Sequence, residues 1–70
     1  MSVRYSLWLA VNKQLVRPFG DREGWENAID EAKWIIEAGD NQPDEEVWVT
    51  PLGNRYEVLA VVDKEGVRVS

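Results

Sequence analysis

The chain contains no cysteine and no histidine among its 70 residues. No disulfide can therefore stabilise the fold, and a Cys/His zinc site is excluded. The usual nucleophile–base pairs are excluded too, because the serine and threonine hydroxyls have no histidine to activate them. The lack of cysteine also fits a reducing compartment. We expect a fold that depends on packing or on self-association alone.

Long apolar runs are also missing, and none approaches the about 20 residues that a membrane-spanning helix needs. The N-terminal segment is apolar, but its residues alternate, and the polar residues 12–14 follow it. This pattern is typical of a strand and not of a signal peptide. We therefore expect a cytoplasmic protein that makes no contact with a membrane.

The length predicts a single domain over 1–70, with no linker, repeat or low-complexity segment. A domain of this size buries only about 60% of the surface that its unfolded chain exposes. We therefore expect modest stability.

Residues 3–11 alternate with the period of a half-buried strand. The inward set is predicted to be Val3, Tyr5, Leu7, Leu9 and Val11. The pair at 12–13 predicts a two-residue hairpin turn, because asparagine tolerates a positive φ. Residues 14–18 would then form a short return strand, with Pro18 at an edge or an end.

Apolar residues at helical spacing predict a helix of about 16 residues. Its buried stripe consists of Trp25, Ala28, Ile29, Ala32, Ile35 and Ile36. We expect Asp21 to be the N-cap and Gly39 to end the helix in the left-handed conformation, with Pro43 beyond it.

Three more strands are predicted after the helix. Residues 47–50 lead to a turn over 51–54 with proline at its second position, and residues 55–62 form the longest β-branched run. A type I turn at 63–66 connects this run to a last strand at 67–69. The predicted fold is α+β, in the order ββ-α-βββ. An antiparallel sheet of four or five strands would carry one amphipathic helix on one face.

Charge is divided unevenly along the chain, whose net charge is −5. Residues 21–46 contain ten acidic and two basic residues, whereas the rest of the chain contains three acidic and six basic residues. In the predicted helix, Trp34 falls opposite the buried stripe and among carboxylates. It is either a partner contact, since tryptophan is enriched in interface hot spots, or its ring folds over the helix edge onto a neighbouring segment.

The face of the sheet opposite the helix is predicted to be apolar. If the inward set of the first strand faces the helix, Trp8 points outward, and Trp48 does so if Val47 and Val49 point inward. If Tyr56, Val58, Ala60 and Val62 also point inward, Leu59 and Val61 are left outside. An exposed apolar patch of this kind usually marks an interface, here a homodimer contact. The alternative is that long side chains cover the rings, namely Arg4, Arg55 and Arg68.

Catalytic and cofactor motifs fail on inspection, so we expect no enzyme, no cofactor and no metal. Glu26, Asp30 and Glu37 share a helix face, but a glycosidase-like carboxylate pair needs a cleft that a single helix on a sheet does not provide. The spacing of residues 40, 42 and 44 opens a calcium loop, yet the sixth and twelfth positions are Glu45 and Pro51. No phosphate-binding glycine loop is present.

Nucleic-acid binding through stacking on Trp8 and Trp48 is an alternative, with the three arginines beside them. The sparse basic residues and the net negative charge argue against it.

In size, acidity and lack of catalytic motifs, the chain resembles small phage-encoded inhibitors of host defence, of the anti-CRISPR type. This resemblance rests on the charge run at 21–46 and implies a role in blocking a basic surface of a host complex in the host-cell cytoplasm. The spaced carboxylates of this chain would imitate a phosphate backbone and occupy that basic surface. The predicted partner-binding residues are Glu26, Asp30, Glu31, Trp34, Glu37, Asp40, Asp44, Glu45 and Glu46.

Overall fold

The computed structural model describes residues 3–39, 44–54 and 56–70. Its elements are β1 (Arg4–Val11), β2 (Gln14–Glu23), α1 (Trp25–Ala38), β3 (Glu45–Pro51), β4 (Ala60–Asp63) and β5 (Gly66–Val69). The strands form one antiparallel sheet in the spatial order β2-β1-β3-β4-β5, and α1 packs across one face of it. The predicted α+β class and the ββ-α-βββ order are confirmed.

The hydrophobic core lies between α1 and the inner face of the sheet. The sheet contributes Leu7, Val47, Val49, Ala60 and Val62, and the helix contributes Ala28, Ile29, Ala32 and Ile36. Trp25 and Ile35 are partly buried at its margin, so all six residues of the predicted helical stripe pack as expected. The inward set predicted for the first strand is confirmed only in part, because Val3 precedes β1 and is 60% exposed.

The β1–β2 hairpin turns at Asn12 and Lys13, whose φ values are 52° and 64°. Positive φ at both central residues is the geometry that a two-residue hairpin favours, so this prediction is confirmed. β2 is longer than predicted and continues beyond Pro18, and two register shifts in its pairing with β1 accommodate two extra residues, Val16 and Phe19. The position of Pro18 in an edge strand agrees with the prediction, because proline within sheets is found at edges and bulges.

The prediction that Asp21 caps the helix is wrong. Asp21 lies in β2 opposite Ser6, and its carboxylate accepts a hydrogen bond from Arg4 Nε at 2.6 Å. Pairing with β1 holds this part of the chain extended, so the helix begins only after Gly24, whose φ is 86°. The amide of Gly24 donates to the carbonyl of Val3 at 2.7 Å.

The helix also ends differently from the prediction. Gly39 has φ −85° and ψ 158°, which is extended and not left-handed backbone. Its amide nevertheless donates to the carbonyl of Ile35 at 3.1 Å, so the last turn of the helix is closed. Pro43 lies outside the described residues.

The run 55–62 does not form one strand, and β4 begins only at Ala60. Tyr56 was expected to point inward but is 84% exposed. The preceding turn explains the difference, because the amide of Asn54 donates to the carbonyl of Pro51 at 2.9 Å and Gly53 has φ 76°. The side chain of Asn54 then accepts a hydrogen bond from the Tyr56 amide at 3.0 Å, which delays the strand.

Pro51 and Val58 also differ from the predictions, whereas the last hairpin agrees with them. Pro51 occupies the first position of the turn and not the second, because its own carbonyl accepts the closing hydrogen bond. Val58, also expected inward, lines a shallow groove on the opposite face with Trp48 and Val61. The β4–β5 hairpin is confirmed: Asp63 pairs with Gly66, and the Asp63 carboxylate accepts from the Glu65 amide at 2.8 Å.

The core makes a prediction about stability. Leu7 is fully buried at the centre of the sheet, so replacing it with alanine leaves a cavity. Leu7→Ala is expected to lower the free energy of unfolding by about 2–5 kcal/mol in urea titrations followed by tryptophan fluorescence. Leu52→Ala is the matched control, because Leu52 is 56% exposed. Equal losses from both changes would contradict this description of the core.

Candidate interaction surfaces

Two surfaces remain after α1 has packed on the inner face. One is the solvent side of the helix, called here the helix surface, which is made by Glu26, Asn27, Asp30, Lys33, Trp34 and Glu37. The other is the outer face of the sheet, which carries Trp8 and Trp48. Within the described ranges, no group of three or more acidic side chains is placed to hold a metal ion. Among the same residues no helix is long and apolar enough to cross a membrane.

Trp34 is the large apolar side chain of the helix surface. It lies on the side of α1 opposite the buried Ala32 and Ile36. The side chain is 63% exposed, so its ring is not folded into a buried position over the helix edge. Tryptophan side chains usually bury most of their large apolar surface, so the exposure of Trp34 is unusual. This exposure leaves the ring accessible to another molecule.

Three of the predicted carboxylates lie on the same side of the helix as this ring and have no ion-pair partner among the described residues. Glu26, Asp30 and Glu37 are exposed, and within the described part of the chain no ion pair involves them. Lys33 is the basic residue on the same surface. The helix surface therefore keeps a net negative charge that other molecules can meet.

Glu31 differs from its neighbours because Arg22 of β2 neutralises it. The Nε of Arg22 donates to Glu31 Oε1 at 3.0 Å, and its Nη2 donates to the same oxygen. The Nη1 of Arg22 donates to the carbonyl of Asp21 at 2.6 Å. Glu31 is only 26% exposed in its side chain and ties the helix to the edge strand. The structure thus gives Glu31 a positioning role next to Trp34.

Among the predicted residues at 44–46, Glu46 does not belong to the helix surface. Glu46 points to the outer face, where its side chain is only 12% exposed. It accepts hydrogen bonds from Trp48 Nε1 at 3.0 Å and from Arg68 Nη2 at 2.8 Å. Asp44 is exposed and Glu45 half-buried, whereas Asp40 lies outside the described residues. The structure does not bring all the predicted residues together.

The outer face carries a row of side chains that crosses all five strands. The register places Trp8 directly opposite Trp48 and Trp48 opposite Val61. Pro18 and Arg68 complete this row at its two ends. Trp8, Trp48, Leu59 and Val61 are each half-buried, and no element in the described ranges covers them. The sheet itself therefore shields much of the predicted apolar patch.

Hydrogen bonds within the outer face satisfy both indoles. Trp8 Nε1 donates to Thr50 Oγ1 at 2.8 Å, and Thr50 Oγ1 donates to the carbonyl of Pro51 at 3.1 Å. Trp48 is bonded to Glu46, as described above. Thr50 and Ser6 are buried, and Ser6 Oγ accepts from the Gly53 amide at 3.0 Å. These two buried polar residues were not predicted from the sequence, because only the register shows that they lie opposite each other, two residues from the paired tryptophans.

Two of the three arginines predicted to cover the rings form ion pairs with carboxylates. Arg4 pairs with Asp21 and Glu23, and Arg68 pairs with Glu46 and with Asp63 at 2.7 Å. Arg55 lies outside the described residues. These ion pairs neutralise the described arginines of the outer face, which argues against its use for binding phosphate.

A comparison of the chain with protein-family models, curated proteins and solved structures found no significant match to any of them.

The outer-face network predicts that Glu46 is structural. Glu46→Ala removes the acceptor of the Trp48 indole and of Arg68, so we expect a loss of about 1–3 kcal/mol in the free energy of unfolding. Glu45→Ala is the control and is expected to change stability by at most about 0.5 kcal/mol. Urea denaturation measures both values. Equal and small effects would show that the hydrogen bonds of Glu46 contribute nothing to stability.

Proposed function

We propose that the protein is a non-enzymatic binding protein whose helix surface occupies a basic, nucleic-acid-binding surface of a host complex. It would act in the host-cell cytoplasm, like the small anti-CRISPR inhibitors that the sequence resembles. The observation that carries this proposal is the exposure of Trp34 on a helix face whose carboxylates form no ion pair with the described residues.

The carboxylates supply the long-range attraction. With a helical rise of 1.5 Å per residue, Glu26 and Asp30 lie about 6 Å apart along the axis, and Glu37 lies about 10 Å farther on. Because no cation in the described part of the chain pairs with them, they can exchange water for lysine and arginine side chains of a partner. Complementary charge of this kind accelerates the encounter and orients the two surfaces.

Trp34 supplies the short-range part of the interaction. Surface charge pairs alone contribute little, since solvent screens them. A large aromatic ring that becomes buried at the centre of an interface contributes more, which is why tryptophan is enriched among hot spots. The helix surface combines both kinds of group on one rigid element.

Reversal of the two helix charges tests the proposal. The assay measures DNA binding by a panel of purified CRISPR effector complexes with and without the protein. We expect the protein to block DNA binding by at least one complex, and the double variant Asp30→Lys/Glu37→Lys to block it at least about tenfold less well.

The control variant is Glu57→Lys/Glu65→Lys, which makes the same change in net charge at exposed positions outside the helix. It should block DNA binding as well as the unmodified protein does. If both double variants lose the same activity, net charge and not the helix surface is responsible. If no nucleic-acid-binding complex is affected by the protein, the proposed inhibitor role is wrong.

A second candidate is a small homodimeric structural or regulatory module that associates through the outer face. It is favoured by the row that contains Trp8, Trp48 and Val61, which no described element covers. In this case the acidic helix would only keep the dimer soluble. The internal hydrogen bonds of both indoles satisfy their N–H groups, so burial of the rings in such a contact would leave no unpaired indole donor.

Light scattering across the micromolar range tests the second candidate. A dimer through the outer face should show twice the monomer mass, and Val61→Lys should convert it to a monomer because it places a charge in the apolar row. Val16→Lys is the control, since Val16 is 58% exposed on the edge strand β2. A monomer mass at every concentration excludes this candidate.

A further inference from the structure

A shallow depression lies beside Trp34, between α1 and the end of β2. It has a volume of about 380 Å³ and is lined by Arg22, Glu23, Asn27, Asp30, Glu31 and Trp34. One wall is the indole, and the others are polar side chains. The depression is open to solvent, so it can receive a single side chain of a partner but does not enclose a small molecule as a ligand pocket does.

The polar groups in this depression fall into two classes. Glu31 and Glu23 are already paired with arginines of the chain itself. Asp30 has no ion pair within the described ranges, and Asn27 uses its Nδ2 to donate to the carbonyl of Glu23 at 2.8 Å. The carboxylate of Asp30 and the amide oxygen of Asn27 are thus acceptors without a donor among the described residues.

Arg22, which lines the depression, is an example of a guanidinium group bound by acceptors in this region. Arg22 crosses from β2 to the helix and places three of its N–H groups on acceptors of Glu31 and Asp21. This contact also fixes the wall of the depression next to Trp34. The indole of Trp34, the carboxylate of Asp30 and the amide oxygen of Asn27 could bind a second guanidinium group. No cationic side chain of the described residues is bonded to these two acceptors.

We propose that this depression receives an arginine side chain of the partner, stacked on Trp34 and hydrogen-bonded to Asp30. The inference rests on the proposed function and names the partner group that the helix surface recognises. A guanidinium is planar, stacks on an indole and donates two hydrogen bonds to a carboxylate at once. The ammonium of lysine is a compact point charge that cannot do both, so the site distinguishes arginine from lysine.

The probe is a pair of short peptides that are identical except that every arginine in one is a lysine in the other. The full chain carries ¹⁵N-labelled tryptophan, and the indole signal of Trp34 is identified by its loss in Trp34→Phe. We expect the arginine peptide to shift this signal and to bind about fivefold to tenfold more tightly than the lysine peptide.

Variants separate stacking from simple attraction. Trp34→Ala and Asp30→Asn should each reduce the preference for arginine towards one, whereas Trp34→Phe should keep part of it. Glu65→Gln is the charge-matched control for Asp30→Asn, and it should leave the preference unchanged. Circular dichroism checks that the variants fold, which is expected because Trp34 and Asp30 are exposed.

The outcomes distinguish this inference from the proposed function. Equal affinity for the two peptides, with both lost in Asp30→Lys/Glu37→Lys, would overturn the arginine site and leave the basic partner surface standing. No shift of the Trp34 signal with either peptide would also overturn the site, while the DNA-binding assay decides the function by itself. A preference for arginine that survives Trp34→Ala would show that the indole is not the binding element.

Discussion

Burial of the inner face of the sheet against α1 is the constraint from which the other features follow. Ala28 and Ala32 bring the helix close to a floor of valines and Leu7, and these residues are almost fully buried. A chain of this length has apolar area for one such layer and no disulfide to add to it. One helix on one sheet necessarily leaves one side of the helix and one face of the sheet against solvent. The two candidate surfaces are consequences of this arrangement.

The two surfaces treat their polar groups in opposite ways. On the outer face, the acceptors and cations are matched internally: Glu46 joins Trp48 to Arg68, and Thr50 accepts from Trp8. On the helix surface, the carboxylates of Glu26, Asp30 and Glu37 have no partner among the described residues, and the ring beside them is exposed. Hydrated carboxylates that no cation of the described residues neutralises can form charge pairs with a partner of opposite charge. This contrast is the reason to propose the helix surface as the binding surface.

The ion pairs of the edge strand connect the fold to the helix surface. Arg4 of β1 and Arg22 of β2 lie on opposite faces of the sheet. Arg4 pairs with Asp21 in β2, and Arg22 pairs with Glu31 on the helix, so each arginine neutralises an acidic residue of the charge run. A run that is strongly negative in sequence is thereby divided into neutral and negative parts. The exposed charge is consequently smaller, and more local, than the composition indicates. Three of the carboxylates in the run that no described cation neutralises lie on the helix surface, together with Trp34.

Local chemistry and periodicity were enough to predict several elements from the sequence. These are the helical stripe from Trp25 to Ile36, the hairpin at Asn12 and Lys13, and the alternation that buries Leu7 and Val47. The partner of each polar side chain, in contrast, is known only from the tertiary structure. Asp21 looked like a helix cap because its type and position suit one, yet pairing with β1 made it part of a strand. Likewise Glu31 and Glu46 belong to the same charge run as Asp30 but are neutralised, because strand register and helix packing set an arginine beside each of them. Such pairings join residues far apart in the chain, and no local pattern encodes that proximity.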